Sequence, residues 1–165
     1  MVYKGLKKNE ALSRLPLDKK EYGQVEDKLV MLKKYDYLAK AFPNREKPLT
    51  YDDSVYDYES VYGENIGSYS TYNWFRSELE NFVSRYYNDL DDLFAYLTEF
   101  SDCEGVFGSE CCAILRNEFC VFEEAFKKYV SEFYNPVEVE LLTSMYRKFK
   151  NAFTFGAEGG AVVFC

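Results

Sequence analysis

The chain has no histidine among its 165 residues. That absence excludes imidazole acid–base chemistry, Ser-His and Cys-His nucleophiles, and every zinc or iron site that needs a histidine ligand. The Ser-x-x-Lys alternative is missing too, since no serine has a lysine three residues later. Cysteines stand at Cys103, Cys111, Cys112, Cys120 and Cys165, with no Cys-x-x-Cys pair. On one helix, Cys112 and Cys120 would lie about 12 Å apart, too far to share a zinc ion. An odd number of cysteines, two of them adjacent, fits reduced thiols better than a disulfide framework. Buried, unreactive thiols are the ordinary reading; a thiol switch at Cys111-Cys112 is the sharper one.

Long apolar runs are also absent. No stretch approaches the ~20 apolar residues of a membrane helix. Met1 to Leu15 has no continuous apolar segment of the kind a signal peptide needs. The expectation is a cytoplasmic chain without a membrane span. Gly156-Ala157-Glu158-Gly159-Gly160 follows an expected helix and lacks a lysine, so it reads as a helix stop and not as a phosphate loop. Asp89-Leu90-Asp91-Asp92 and Asp102-Cys103-Glu104-Gly105 lack the glycine and glutamate spacing of a calcium loop. No metal or cofactor is expected.

Basic residues are scarce in the middle of the chain. Residues 1–50 carry a net +5, residues 51–126 a net −14 and residues 127–165 a net +1. Between Arg85 and Arg116 there are seven acids and no lysine or arginine. Between Lys47 and Arg76 there are five acids and six tyrosines: Tyr51, Tyr56, Tyr58, Tyr62, Tyr69 and Tyr72. Such a block repels nucleic acid and anionic lipid and attracts basic surfaces.

What is abundant is aromatic. Tyrosine and phenylalanine number 16 and 14 against one tryptophan, enough ring surface for one core in a single domain of residues 1–165. Residues 1–20 read as a basic, loosely ordered arm with one short helix near Asn9–Leu15. Met31, Tyr35, Leu38 and Phe42 predict a helix over 24–42, ended by Pro43. Over 51–62, the spacing of Tyr51, Val55, Tyr58 and Tyr62 predicts a helix, while the wealth of valine and tyrosine favours strand; helix is preferred. Helices are expected over 72–88, 90–100 and 110–134, the last on Leu115, Phe119, Phe122, Phe126, Tyr129 and Phe133, with a loop over 101–108. Asn135-Pro136-Val137-Glu138 marks the start of a final helix running to about 154. The tail fits a short strand or an apolar segment packed on the bundle. The expected fold is mainly α, an irregular bundle of five or six helices.

The functional expectation is a non-enzymatic inhibitor or regulator that docks a basic protein surface, with a nucleic-acid-binding enzyme as the natural target class. Anti-defence proteins, antitoxins and immunity proteins offer an analogy of charge and size, including nucleic-acid mimicry. Candidate contact residues are Asp52, Asp53, Tyr56, Asp57, Tyr58, Glu59, Glu64, Asp89, Asp91, Asp92, Glu99, Asp102 and Glu104. Alternatives are a small-molecule or nucleotide-signal domain with an aromatic pocket, a structural or assembly module, and an enzyme working through carboxylates. The competing view of the charge is that it solvates outer faces while tyrosine fills the core.

Overall fold

The computed structural model describes residues 1–16, 28–32, 44–49, 54–90, 92–100 and 105–164. Among them six helices accompany two antiparallel sheets, of four and three strands. The mainly helical bundle is thereby overturned: the fold is mixed α/β.

The strands are β1 (Val2–Lys4), β2 (Lys7–Lys8), β3 (Leu29–Met31), β4 (Val55–Asp57), β5 (Ser60–Tyr62), β6 (Gly105–Gly108) and β7 (Ala161–Phe164). The larger sheet runs β5-β1-β7-β6 and the smaller β2-β4-β3. β1 is an interior strand: Val2 pairs with Tyr62 on one side and Val162 on the other. The chain's opening residues, expected in a loose arm, therefore carry sheet structure, because Val2 is an apolar residue buried between two strands. The short helix expected near Asn9–Leu15 is α1 (Glu10–Ser13), where the Asn9 side chain accepts the Leu12 N–H. Gly160 lets β7 approach β1, since a Cβ there would stand 1.8 Å from the Tyr3 carbonyl oxygen.

Two expected helices fall to strands where the structure describes them. Leu29–Met31 pairs with Val55–Asp57, so the described part of 24–42 is β3; Tyr35, Leu38 and Phe42 lie outside the described residues. Within 51–62, β4 and β5 replace the preferred helix. β-Branched and aromatic side chains suit a pleated surface, and the tertiary ladder decides between two readings that local spacing left close. The expected loop over 101–108 contains β6, whose Val106 and Phe107 are buried.

The remaining helices are α2 (Tyr69–Tyr86), α3 (Ala95–Thr98), α4 (Ser109–Val121), α5 (Glu123–Phe133) and α6 (Pro136–Gly156). Phe75, Leu79 and Phe82 share one face of α2 and are buried, while Tyr86 at its end is exposed. The α6 start is a capping box: Asn135 accepts from Val137 and Glu138 N–H groups, and the Glu138 carboxylate accepts the Asn135 N–H. The single helix expected over 110–134 breaks at Phe122. The bend lets Phe119 and Phe126 both pack on Tyr146, at 4.6 and 4.7 Å between ring centroids. It also turns Phe122 onto Tyr87, at 4.9 Å. Phe75 and Phe149 stack at 5.2 Å, and the core continues through Phe153 and Phe107 to β6 and β7. No described helix is long and apolar enough to cross a membrane.

Candidate functional site

The segment 87–100, between α2 and α4, carries the most exposed acids of the lysine-free stretch. A helix over 90–100 was expected, but among the described residues of that range only α3 is helical, and Phe94 just before it takes φ 59°. That backbone is held by Glu118 of α4, whose carboxylate accepts the Phe94 N–H at 3.1 Å. Leu90 and Leu93 close successive turns, on Tyr87 and Leu90 carbonyls. From α2, the Arg76 guanidinium donates to the Leu97 carbonyl at 3.2 Å and to the Thr98 carbonyl, placing positive charge at the C-terminal end of α3. The Tyr72 hydroxyl donates to the Phe100 carbonyl at 2.6 Å. Side chains from two long helices thus fix an irregular loop whose outward residues are charged.

Asp89, Asp92 and Glu99 are exposed on this segment, and Glu110 is exposed in the first turn of α4. None of the four makes an ion pair among the described residues. Leu90 of the segment and Ile114 and Val121 of α4 are exposed apolar residues. Ile114, Asn117 and Val121 follow helical spacing on the outer face of α4, and Arg116 is turned onto Asn117 at 3.1 Å. Burial pushes the Glu118 carboxyl up to about 7, and the Asp92 charge adds to the rise while the Phe94 N–H opposes it. Burial also raises the Tyr96 phenol, with smaller contributions from Cys111, Asp92 and Glu118. Asp92, Tyr96 and Glu118 therefore share one electrostatic neighbourhood.

The earlier acidic stretch is built differently. Tyr56 and Tyr58 are buried, so they fill the core and offer no contact area to a partner. Asp57 stands opposite Lys7 in the β2–β4 ladder and accepts from the Asn9 amide at 3.3 Å. Glu59 is exposed; its charge helps hold Lys4 protonated, and its carbonyl accepts from Lys28 at 3.3 Å. Glu64 pairs with Lys148 at 3.7 Å. The expected contact residues Asp52, Asp53, Asp91, Asp102 and Glu104 lie outside the described residues. The structure brings Asp89, Asp92 and Glu99 into one segment and sets Asp57, Glu59 and Glu64 near lysines on β4, in the turn from β4 to β5 and in the loop after β5.

One buried group went unpredicted. Glu78 is 5% exposed and accepts the Tyr129 hydroxyl at 2.8 Å and the Tyr134 hydroxyl as well. The signal was available: Glu78 falls three residues after Phe75 and four before Phe82, inside the apolar face of α2. Burial first, and then Glu78, holds the Tyr129 phenol far above its ordinary value, so both partners are donors that satisfy a buried carboxylate. Cys111 and Cys112 are buried, and burial raises both thiols, Cys112 to about 12. Among the described residues no three Cys, Asp or Glu side chains gather as a metal site. Comparison with known proteins finds no matching family model, no matching curated protein and no matching solved structure.

Proposed function

We propose that the chain is a non-enzymatic binding protein that docks a basic protein surface through Asp89, Asp92, Glu99 and Glu110. The observation that carries this reading is where unpaired charge gathers. Asp57, Glu59, Glu80, Glu132 and Glu140 are likewise exposed and without an ion pair among the described residues, but Asp89, Asp92, Glu99 and Glu110 stand together between Arg85 and Arg116, a stretch with no lysine or arginine. Unpaired like charges cost self-repulsion, and a solvating surface would be served equally well by mixed signs. Exposed Leu90 of the segment, and Ile114 and Val121 of α4, are candidate apolar anchors, which charge alone would not supply. A partner of complementary shape would present lysine or arginine around a small apolar centre. Nucleic-acid-binding enzymes are the natural class, because their grooves are positive.

The reading narrows the expected contact surface from residues 52–104 to the segment around α3 and the start of α4. A tagged chain and an Asp89→Lys, Asp92→Lys, Glu99→Lys variant would be used to capture partners from cytosol, and the captured protein's association rates measured at low and high salt. The expected result is at least tenfold slower association for the variant and a marked fall with salt for the native chain. Equal capture by both chains, or rates indifferent to salt, would defeat the proposal.

A further inference from the structure

A second feature lies away from that surface and calls for a ligand of different chemistry. Between the larger sheet, the N-terminal end of α2 and the middle of α6 is a cavity of about 430 Å³. This is within the range of small-molecule pockets, ~300–1,000 Å³. Its inner wall is the core itself: Val2, Tyr72, Phe149 and Val162 line it and are each at most 5% exposed. Three of its rings are mutual neighbours, with Tyr72 5.9 Å from Phe149 and 5.7 Å from Phe164, and Phe149 6.4 Å from Phe164. The loop of residues 63–68 forms the outer wall, with partly buried Ile66 turned onto the core. Lys148 fixes that loop by donating to the Asn65 carbonyl.

The polar groups of the lining are already engaged. Glu64 pairs with Lys148. The Met1 amino group donates to the Val163 carbonyl at 2.7 Å and the Tyr72 hydroxyl to the Phe100 carbonyl at 2.6 Å. The Ser68 hydroxyl is within 2.9 Å of both the Ser70 and Thr71 hydroxyls. The Met1 ammonium keeps its charge when it donates to a carbonyl, but a cationic ligand would lose its hydration here without gaining a free carboxylate, since Glu64 is paired with Lys148. A flat apolar ligand would pack edge or face against three rings already in contact with one another. We propose that this cavity binds a small, mainly aromatic molecule that carries no positive charge, an assignment that goes beyond the docking surface.

Indole is the probe, with tryptamine and indole-3-propionate as cationic and anionic counterparts of the same ring. Ligand-observed and protein-observed magnetic resonance on the full chain would give affinities and contacts. Indole should saturate a single site with contacts to Ile66 and Phe164, and tryptamine should bind at least tenfold more weakly than indole or indole-3-propionate. Ile66→Trp, which fills the mouth, should weaken indole at least tenfold. The contact map of the native chain stands independently of whether that variant folds. Absence of binding up to the solubility of indole, contacts elsewhere on the protein, or binding of tryptamine as tight as that of indole would each overturn the assignment.

Discussion

Replacing Glu118 by Gln separates charge from hydrogen bonding at the point where the acidic segment is anchored. Glutamine keeps a side-chain oxygen for the Phe94 N–H but carries no charge. In the native chain the carboxyl is raised from 4.5 to about 7, first by burial and then by Asp92. The folded state therefore holds this proton more tightly than the unfolded state, and the sign of the linkage follows. The stability associated with the protonated form is fully present below pH 4.5 and is lost as pH rises through 7. The full span corresponds to roughly 3 kcal/mol. Because the side chain is only partly buried, screening reduces the expected effect to about 1–2 kcal/mol. Urea midpoints measured from pH 4 to pH 8 should show the Glu118→Gln chain gaining about 1–2 kcal/mol over the native chain at the upper end, with little difference at the lower. A variant that is less stable at pH 8 would show that the Phe94 contact depends on the carboxylate's charge, and a difference that does not change with pH would show that folding does not raise the Glu118 carboxyl; either result would refute the reasoning.

Other perturbations test the fold around this segment. Gly160→Ala would place a Cβ 1.8 Å from the Tyr3 carbonyl oxygen, so β7 and β1 must separate; thermal unfolding should show a loss of more than about 2 kcal/mol. Tyr129→Phe removes one of the two phenol donors to the buried Glu78 carboxylate and should cost about 1–3 kcal/mol, read from denaturant curves at neutral pH. Glu78→Gln in the same background should recover part of that loss, since it removes the buried charge. A thiol reagent followed by mass mapping should label exposed Cys120 in the native state and reach Cys111 and Cys112 only on unfolding. Rapid native-state labelling of Cys112 would contradict its burial.

Long-range pairing marks the limit of what local pattern could reveal. The Asn135-Pro136-Val137-Glu138 start and the helical spans of α2 and α6 were legible because caps and 3.6-residue periodicity are local properties. The C-terminal strand was legible only as one of two options. β1 was not legible at all: a three-residue strand has no periodicity to measure, and its stability comes from Tyr62 and Val162, both distant in sequence. At 51–62, spacing and propensity disagreed, and the helical choice failed because Tyr56 pairs across to Lys8 and Val30 in the smaller sheet. The break at Phe122 was hidden for a different reason. Its stripe is continuous in sequence, and the bend follows from the need to seat two rings on the single ring of Tyr146.

The same distinction governs the acidic surface. Composition reveals where charge is dense along the chain but not where its counter-charges lie in space. Asp57, Glu59 and Glu64 looked equivalent to Asp89, Asp92 and Glu99, yet folding brings Lys7, Lys4 and Lys148 beside the first three from positions remote in sequence. Among the described residues Glu64 is the one of these six with an ion pair, and the second three lie between Arg85 and Arg116, where the sequence has no lysine or arginine. The neighbouring Arg76 is spent on the Leu97 and Thr98 carbonyls, so it fixes the segment without neutralising its carboxylates. Rigidity and unpaired charge are thus supplied by separate residues. Substitutions at Asp89, Asp92 and Glu99 should therefore alter association while leaving the backbone of the segment in place.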